Sequence, residues 1–110
     1  MTPAFHSLLG IARRRFEEAL PYVTDWHAIP YHRRDLRMVK DETWRLADPA
    51  ISTPQTFAVL IELATLEGET SLVEELHAEK MNIQRRLTEA CLTGHRRCRA
   101  LEESTGLVAA

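Results

Sequence analysis

Aromatic residues, glycine and lysine are all scarce in this chain, and each shortage narrows what it can be. With three Phe, two Trp and two Tyr in 110 residues, the core has to be built from Leu, Ala, Ile and Val, a supply that suits helix packing. Four glycines and five prolines beside a hydrophobic fraction of 45% describe neither a disordered nor a fibrous chain. The longest uninterrupted apolar run, residues 57–61, is far too short to span a bilayer. The opening Met1-Thr2-Pro3-Ala4-Phe5-His6 has no basic region followed by an apolar run, so no secretory signal is expected. Two cysteines without such a signal point to free thiols in a reducing cytoplasm. Also missing are a Gly-rich phosphate loop, a nucleophile elbow and a His-Glu-x-x-His run, and the expectation is a protein that is not an enzyme and carries no cofactor. Only Lys40 and Lys80 of the 14 basic residues are lysine. A GC-rich coding sequence accounts for that bias, and the net charge of −2 decides little.

What is present reads as one all-α domain over residues 1–110, of a size that supports a modest core. Thr2-Pro3 is a helix N-cap followed by proline at the first helical position, where its missing N–H costs nothing. Phe5, Leu8, Leu9, Ala12, Phe16, Ala19, Leu20 and Val23 then recur at three- and four-residue spacing, the stripe of a helix with one buried face. Arg13, Arg14 and Arg15 lie opposite, in reach of Glu17 and Glu18 as a solvated face. Pro21 and Pro30 predict an aromatic-rich connection around Tyr22, Trp26 and Tyr31. Residues 31–47 suit a helix with Leu36, Val39 and Trp44 inward, or a short extended piece at 35–39, and Asp48-Pro49 should end either one. Ser52-Thr53-Pro54 repeats the cap signal, and residues 57–66 are apolar on nearly every side, which predicts the central helix, stopped by Gly68.

Ser71-Leu72-Val73-Glu74 is a capping box. Leu72, Leu76, Ile83, Leu87, Cys91, Cys98 and Leu101 follow at helical spacing. A helix over 71–103 is roughly 50 Å long, whereas a compact chain of this size is about 35 Å across. It would overhang its own domain, with Gly94 the place for a kink or stop. The overhang predicts a homodimer, with Leu72, Leu76, Ile83 and Leu87 between chains. Charge adds to this. Glu62, Glu67, Glu69, Glu74, Glu75 and Glu79 precede a basic stretch of Lys80, Arg85, Arg86, Arg96, Arg97 and Arg99. Either antiparallel pairing of two such helices or the helix macrodipole alone explains the gradient.

Cys91, His95 and Cys98 are the one metal-like spacing, and on a helix they project within about 60° of one another. A single straight helix cannot wrap a tetrahedron, and cysteine on an apolar stripe is most simply core, so no metal is expected. Asp25 with His27, and His32 with Asp35, read as surface or capping groups. A helix-turn-helix over residues 55–75 fails because Glu67, Glu69, Glu74 and His77 stand where apolar residues belong, and the acidic opening of its second helix would repel DNA. The arginines after Arg85 leave a small nucleic-acid-binding dimer as the alternative, although they are spread around the helix and no aromatic follows Phe57 to stack on bases.

A short, Arg-rich, all-helical chain with helices over residues 54–66 and 71–103 resembles in build the bacterial quorum-sensing anti-activators. The resemblance implies a homodimer that binds a LuxR-type transcription factor and blocks its dimerisation and DNA binding. No family residue transfers to this sequence. The expected function is therefore non-enzymatic regulation by binding and sequestering a partner protein. Such a module needs an apolar patch with a few anchors. Val59, Leu60 and Leu63, with Trp26 and Trp44, are the candidates, and each of them could instead fill the core.

Overall fold

A computed structural model describes residues 1–105 as four α-helices: α1 (Pro3–Ala28), α2 (Arg37–Ile51), α3 (Thr53–Leu66) and α4 (Thr70–Thr105), with one 3-10 turn at Arg34–Leu36 before α2. Residues 106–110 of the expected single domain lie outside the described residues. The Thr2 hydroxyl accepts from the Phe5 N–H at 3.2 Å, and Pro3 opens α1. Gly68, at φ 74°, ends α3. The Glu69 N–H reaches the Ala64 carbonyl and the Gly68 N–H the Thr65 carbonyl, both at 3.0 Å, the paired bonds of a Schellman stop.

Three boundaries differ from the sequence expectation. Pro21 does not end α1, which continues through Trp26 to Ala28. The proline stands on the exposed side, while Val23 beyond it is buried. Packing of the inner face outweighs one lost hydrogen bond. Pro49 is likewise inside α2. Ser52 does not cap α3; its hydroxyl donates to the Asp48 carbonyl at 2.9 Å and Thr53 donates to the Pro49 carbonyl at 2.6 Å, so α3 follows α2 almost without interruption. The capping box at Ser71 is not used as such, because α4 begins at Thr70 and places Ser71 inside its first turn.

α1, not α3, is the helix on which the others pack. Its inner stripe of Phe5, Leu9, Ala12, Phe16, Ala19 and Val23 is buried. The amino terminus lies 3.7 Å from Glu69 at the end of α3, and the Trp26 and Trp44 rings are 4.9 Å apart, so α2 and α3 run antiparallel to α1 in succession. α4 runs parallel to α1. Arg13 meets Glu79 at 2.9 Å, Arg86 grips Glu17 with two donors, and Gly94 abuts Thr24 and His27. Leu36 is half-buried, but Val39 and Trp44 are exposed, and α2 buries only Ala47 and Ala50.

The molecule measures 58 × 22 × 16 Å with a radius of gyration of 17.5 Å, against about 13 Å for a compact chain of this length. That elongation removes the reason for expecting a second chain over the inner face of α4. Leu76 and Ile83 are 1% and 4% exposed within a single chain, and Leu72 and Leu87 are partly buried against the same core. The acid-to-base gradient of α4 is also used internally, through the Glu79 and Arg86 pairs with α1.

Gly94 neither kinks nor stops α4. A Cβ there would fall 2.5 Å from both the His27 Cβ and the Thr24 carbonyl oxygen, so the glycine is what lets the end of α1 lie against α4. Gly10 has nothing within 4 Å of the same position. Gly94→Ala should therefore destabilise the fold by about 1–3 kcal/mol through overpacking. Gly10→Ala should stabilise it by about 1 kcal/mol through helix propensity alone. Urea unfolding of the two variants beside the parent measures both shifts.

Candidate protein-binding surfaces

The side chains singled out from sequence fall on three separate parts of the molecule. On α3, Phe57, Leu60, Ile61 and Ala64 turn inward, so Leu60 (2% exposed) is core and leaves the expected patch. Val59 and Leu63 stay outside at 53% and 43% exposed, joined by Leu66 at 79%. Thr56, Val59, Leu63 and Leu66 stand at three-four-three spacing, which is one continuous seam on a helix. Across from it, α1 exposes Leu8 (53%) and Ile11 (36%). Between α1 and the junction of α2 with α3 lies an open groove lined by Leu8, Ile11, Ala12, Arg15, Asp48, Pro49, Ser52, Thr53 and Thr56. The groove continues over Tyr22, Leu46 and Pro49 where α1 faces α2.

Spacing places Leu8 in the buried stripe and leaves Ile11 out of it, but both are surface residues. Yet Phe5, Leu9, Ala12 and Phe16 already complete a three-four stripe without Leu8, and Ala4, Leu8 and Ile11 form a second one beside the first. That doubled stripe is the signal that marks a helix apolar on two adjoining faces.

The second surface is the turn between α1 and α2. α1 ends at Ala28, because Ile29 precedes Pro30 and adopts an extended backbone. Pro30 is fully buried and anchors the turn. Lys40 reaches back from α2 and donates to the Ile29 carbonyl at 2.7 Å. Its ammonium sits 4.6 Å from the Trp26 ring and 5.6 Å from the Tyr31 ring, a cation–π arrangement. Burial holds the Lys40 pKa below the usual lysine range. Trp26 is half-buried and Trp44 lies at the edge, 39% exposed, so of the two expected anchors one is mostly support and the other mostly surface. Tyr31 and Met38 stand out at 78% and 80% exposed.

The third group holds the possible metal ligands. His27 and His95 pack with tilted rings, centroids 4.7 Å apart, the Cys98 thiol donates to Glu102 at 3.6 Å, and His32 lies 3.7 Å from Glu102. Among the described residues no group of three His, Cys, Asp or Glu side chains is placed to hold a metal ion. Both thiols are free, and burial pushes each of them up from its ordinary pKa, with Glu102 adding to the effect at Cys98. A raised thiol pKa means little thiolate and a poor nucleophile. Asp35 pairs with Arg33 at 2.6 Å rather than with His32, and His27 packs its ring between those of Trp26 and His95, so neither sequence pair forms the acid–base couple that catalysis needs.

The arginines of α4 are partly spoken for. Arg86 is held by Glu17 and lies over the Phe16 ring at 5.0 Å, and Arg85 pairs with Glu89 at 2.7 Å. No helix among the described residues is long and apolar enough to cross a membrane. No protein-family model matches the chain, and no curated protein or solved structure is significantly similar to it.

Burial, the neighbouring His95 and Lys40 all hold the His27 pKa below 6.5. The unfolded chain then takes up a proton that the folded chain resists. Stability from this group is complete above pH 6.5 and declines as pH falls toward the lowered folded value. The thermal midpoint should drop between pH 7 and pH 5, and His27→Gln should flatten that part of the profile. An equal drop in the variant would assign it to other groups.

Proposed function

We propose that this protein is a non-enzymatic regulator that works by binding another protein, with the α1–α2 turn as its recognition surface. The observation that carries this reading is the exposure of Tyr31, Met38 and Trp44 around a fixed support, the stacked Trp26 and the tethered Lys40. Trp, Tyr and Arg dominate binding hot spots because they bury much area at small entropic cost. Arg34 and Arg37 are exposed beside the same turn. A platform held by Pro30 and by the Lys40 bond to Ile29 is already ordered before it meets a partner, which reduces the ordering that association requires.

The partner class follows from the resemblance in build to quorum-sensing anti-activators: a LuxR-type transcription factor that loses its ability to dimerise and hold DNA when its surface is occupied. Direct nucleic-acid binding is the competing function. Arg97 and Arg99 are exposed near the end of α4, but Arg85 and Arg86 are engaged with glutamates, and a neutralised arginine releases no counterions from phosphate.

Binding to the ligand-binding domain of a LuxR-type factor from the same cell tests the reading, by calorimetry with the purified proteins. Joint replacement of Tyr31 and Trp44 by Ala should weaken that affinity by about thirtyfold or more, the loss expected of a hot spot, with the helical circular dichroism unchanged. Binding that survives the double replacement would move the recognition surface elsewhere. Affinity for duplex DNA at physiological salt, falling steeply as salt rises, would replace the proposal with the competing one.

A further inference from the structure

We infer that the packed rings of His95, His27, Trp26 and Trp44 form a proton-sensitive latch on the α1–α2 turn: a proton taken up at His27 drives the Lys40 ammonium off its seat and loosens the turn. The rings run from one helix to the next. His95 of α4 packs on His27 of α1 with centroids 4.7 Å apart. His27 meets Trp26 edge to face at 4.7 Å, and Trp26 meets Trp44 of α2 at 4.9 Å. Lys40 closes the row. Its ammonium lies 4.6 Å from the Trp26 ring and 5.6 Å from the Tyr31 ring, and it donates to the Ile29 carbonyl at 2.7 Å. That one side chain ties α2 to the chain leaving α1, just before the buried Pro30.

Charge decides which part gives way. A proton on His27 sets a second cation against the indole that Lys40 already occupies. From α4 the charged ring faces His95, and from α2 it faces Lys40; after burial, these two are what oppose the charge. The carboxylates of this end are placed elsewhere. Asp25 on α1 and Asp41 on α2 are exposed, Asp35 is held by Arg33, and Glu102 of α4 faces Cys98 and His32. Arg99 and Glu103 line the open hollow beside His95 and Cys98. No ion pair joins a carboxylate to His27 among the described residues. α1 cannot retreat, because at Gly94 it already lies against α4. A neighbouring imidazole can stay neutral beside a charged one, whereas a lysine ammonium keeps its charge throughout the acid range and relieves the repulsion only by moving. Once Lys40 leaves, the Ile29 carbonyl loses its donor, and Trp26 and Tyr31 lose the cation they share. The latch is therefore closed above pH 6.5 and opens as pH falls through the lowered value of His27. Its regulatory consequence rests on this turn being the recognition surface: a partner that binds the closed form is opposed by the proton, and opposes the proton by the same factor. The latch itself does not depend on that reading.

The two indole N–H signals of the full chain, one from each Trp, report the latch by NMR over a titration from about pH 8 to about pH 5, the range in which histidine charges. Circular dichroism marks the part of that range in which the helices persist. In the parent both signals should move together, with one midpoint below pH 6.5. His27→Gln should hold them still. Lys40→Met keeps a stem over the ring and removes the charge. It should raise the midpoint by about half a pH unit or more, a roughly threefold gain in proton affinity. Affinity for the LuxR-type domain should fall about fivefold or more over the same range in the parent and stay level in His27→Gln. Indole signals that do not move, that move equally in His27→Gln, or that keep their midpoint in Lys40→Met would overturn the latch. Partner binding of constant strength while the signals move would remove its regulatory role. Signals that behave as expected, with no binding of the LuxR-type domain at any pH, would overturn the proposed function instead and leave the latch standing.

Discussion

The parallel packing of α1 along α4 is the contact on which the remaining structure depends. It requires three things of the sequence at once: small residues at the inner positions Ala12 and Ala19, opposite charges at matching heights in the Arg13–Glu79 and Glu17–Arg86 pairs, and a glycine where the two backbones come nearest. The ion pairs are largely exposed and each contributes at most about 1 kcal/mol. Their role is to fix register. The apolar stripe supplies the energy, because each buried large side chain contributes about 1.5–3 kcal/mol. Gly94 sets the distance of closest approach.

Because α4 is long and α1 runs beside it, the fold grows along one axis and never becomes round. A rod of three helix rows has proportionally more surface than a sphere of the same volume, and such a shape leaves some of the apolar side chains outside. Met81, Leu92 and Leu101 stand singly along α4, but two sets are denser. One is aliphatic, with Leu8 and Ile11 of α1 and Val59, Leu63 and Leu66 of α3. The other collects at the α1–α2 turn, aromatic and bounded by arginine.

The cluster of His27, His95, Cys98 and Glu102 lies at the far end of the same α1–α4 contact. It is chemically varied but does not converge on a point: His27 packs on His95, while Cys98 and His32 both face Glu102. Its effect is on stability against pH, through the packing of His27 beside Gly94.

Much of this architecture is legible in the residues themselves. Helical periodicity, the Thr2-Pro3 cap and the Gly68 stop depend on local spacing and backbone chemistry, and the all-helical class with its long last helix follows from them. Local rules fail where burial decides the outcome. Pro21 and Pro49 read as breaks, but their inner faces have cores to join, and the neighbouring buried residues outweigh the missing N–H. Leu60 and Leu63 are equally apolar three residues apart, and only the position of α1 makes one core and the other surface. Leu76 and Ile83 carry the apolar stripe that spacing predicts, yet spacing cannot say whose chain will cover it. That depends on the length of α1 and on the level at which it docks, which are properties of two helices together. Order along the chain thus settles which residues form helices and which faces of them are apolar. Which of those faces are covered inside the chain, and which remain exposed, is settled by packing, because burial is a relation between elements distant in sequence and periodicity describes each element alone.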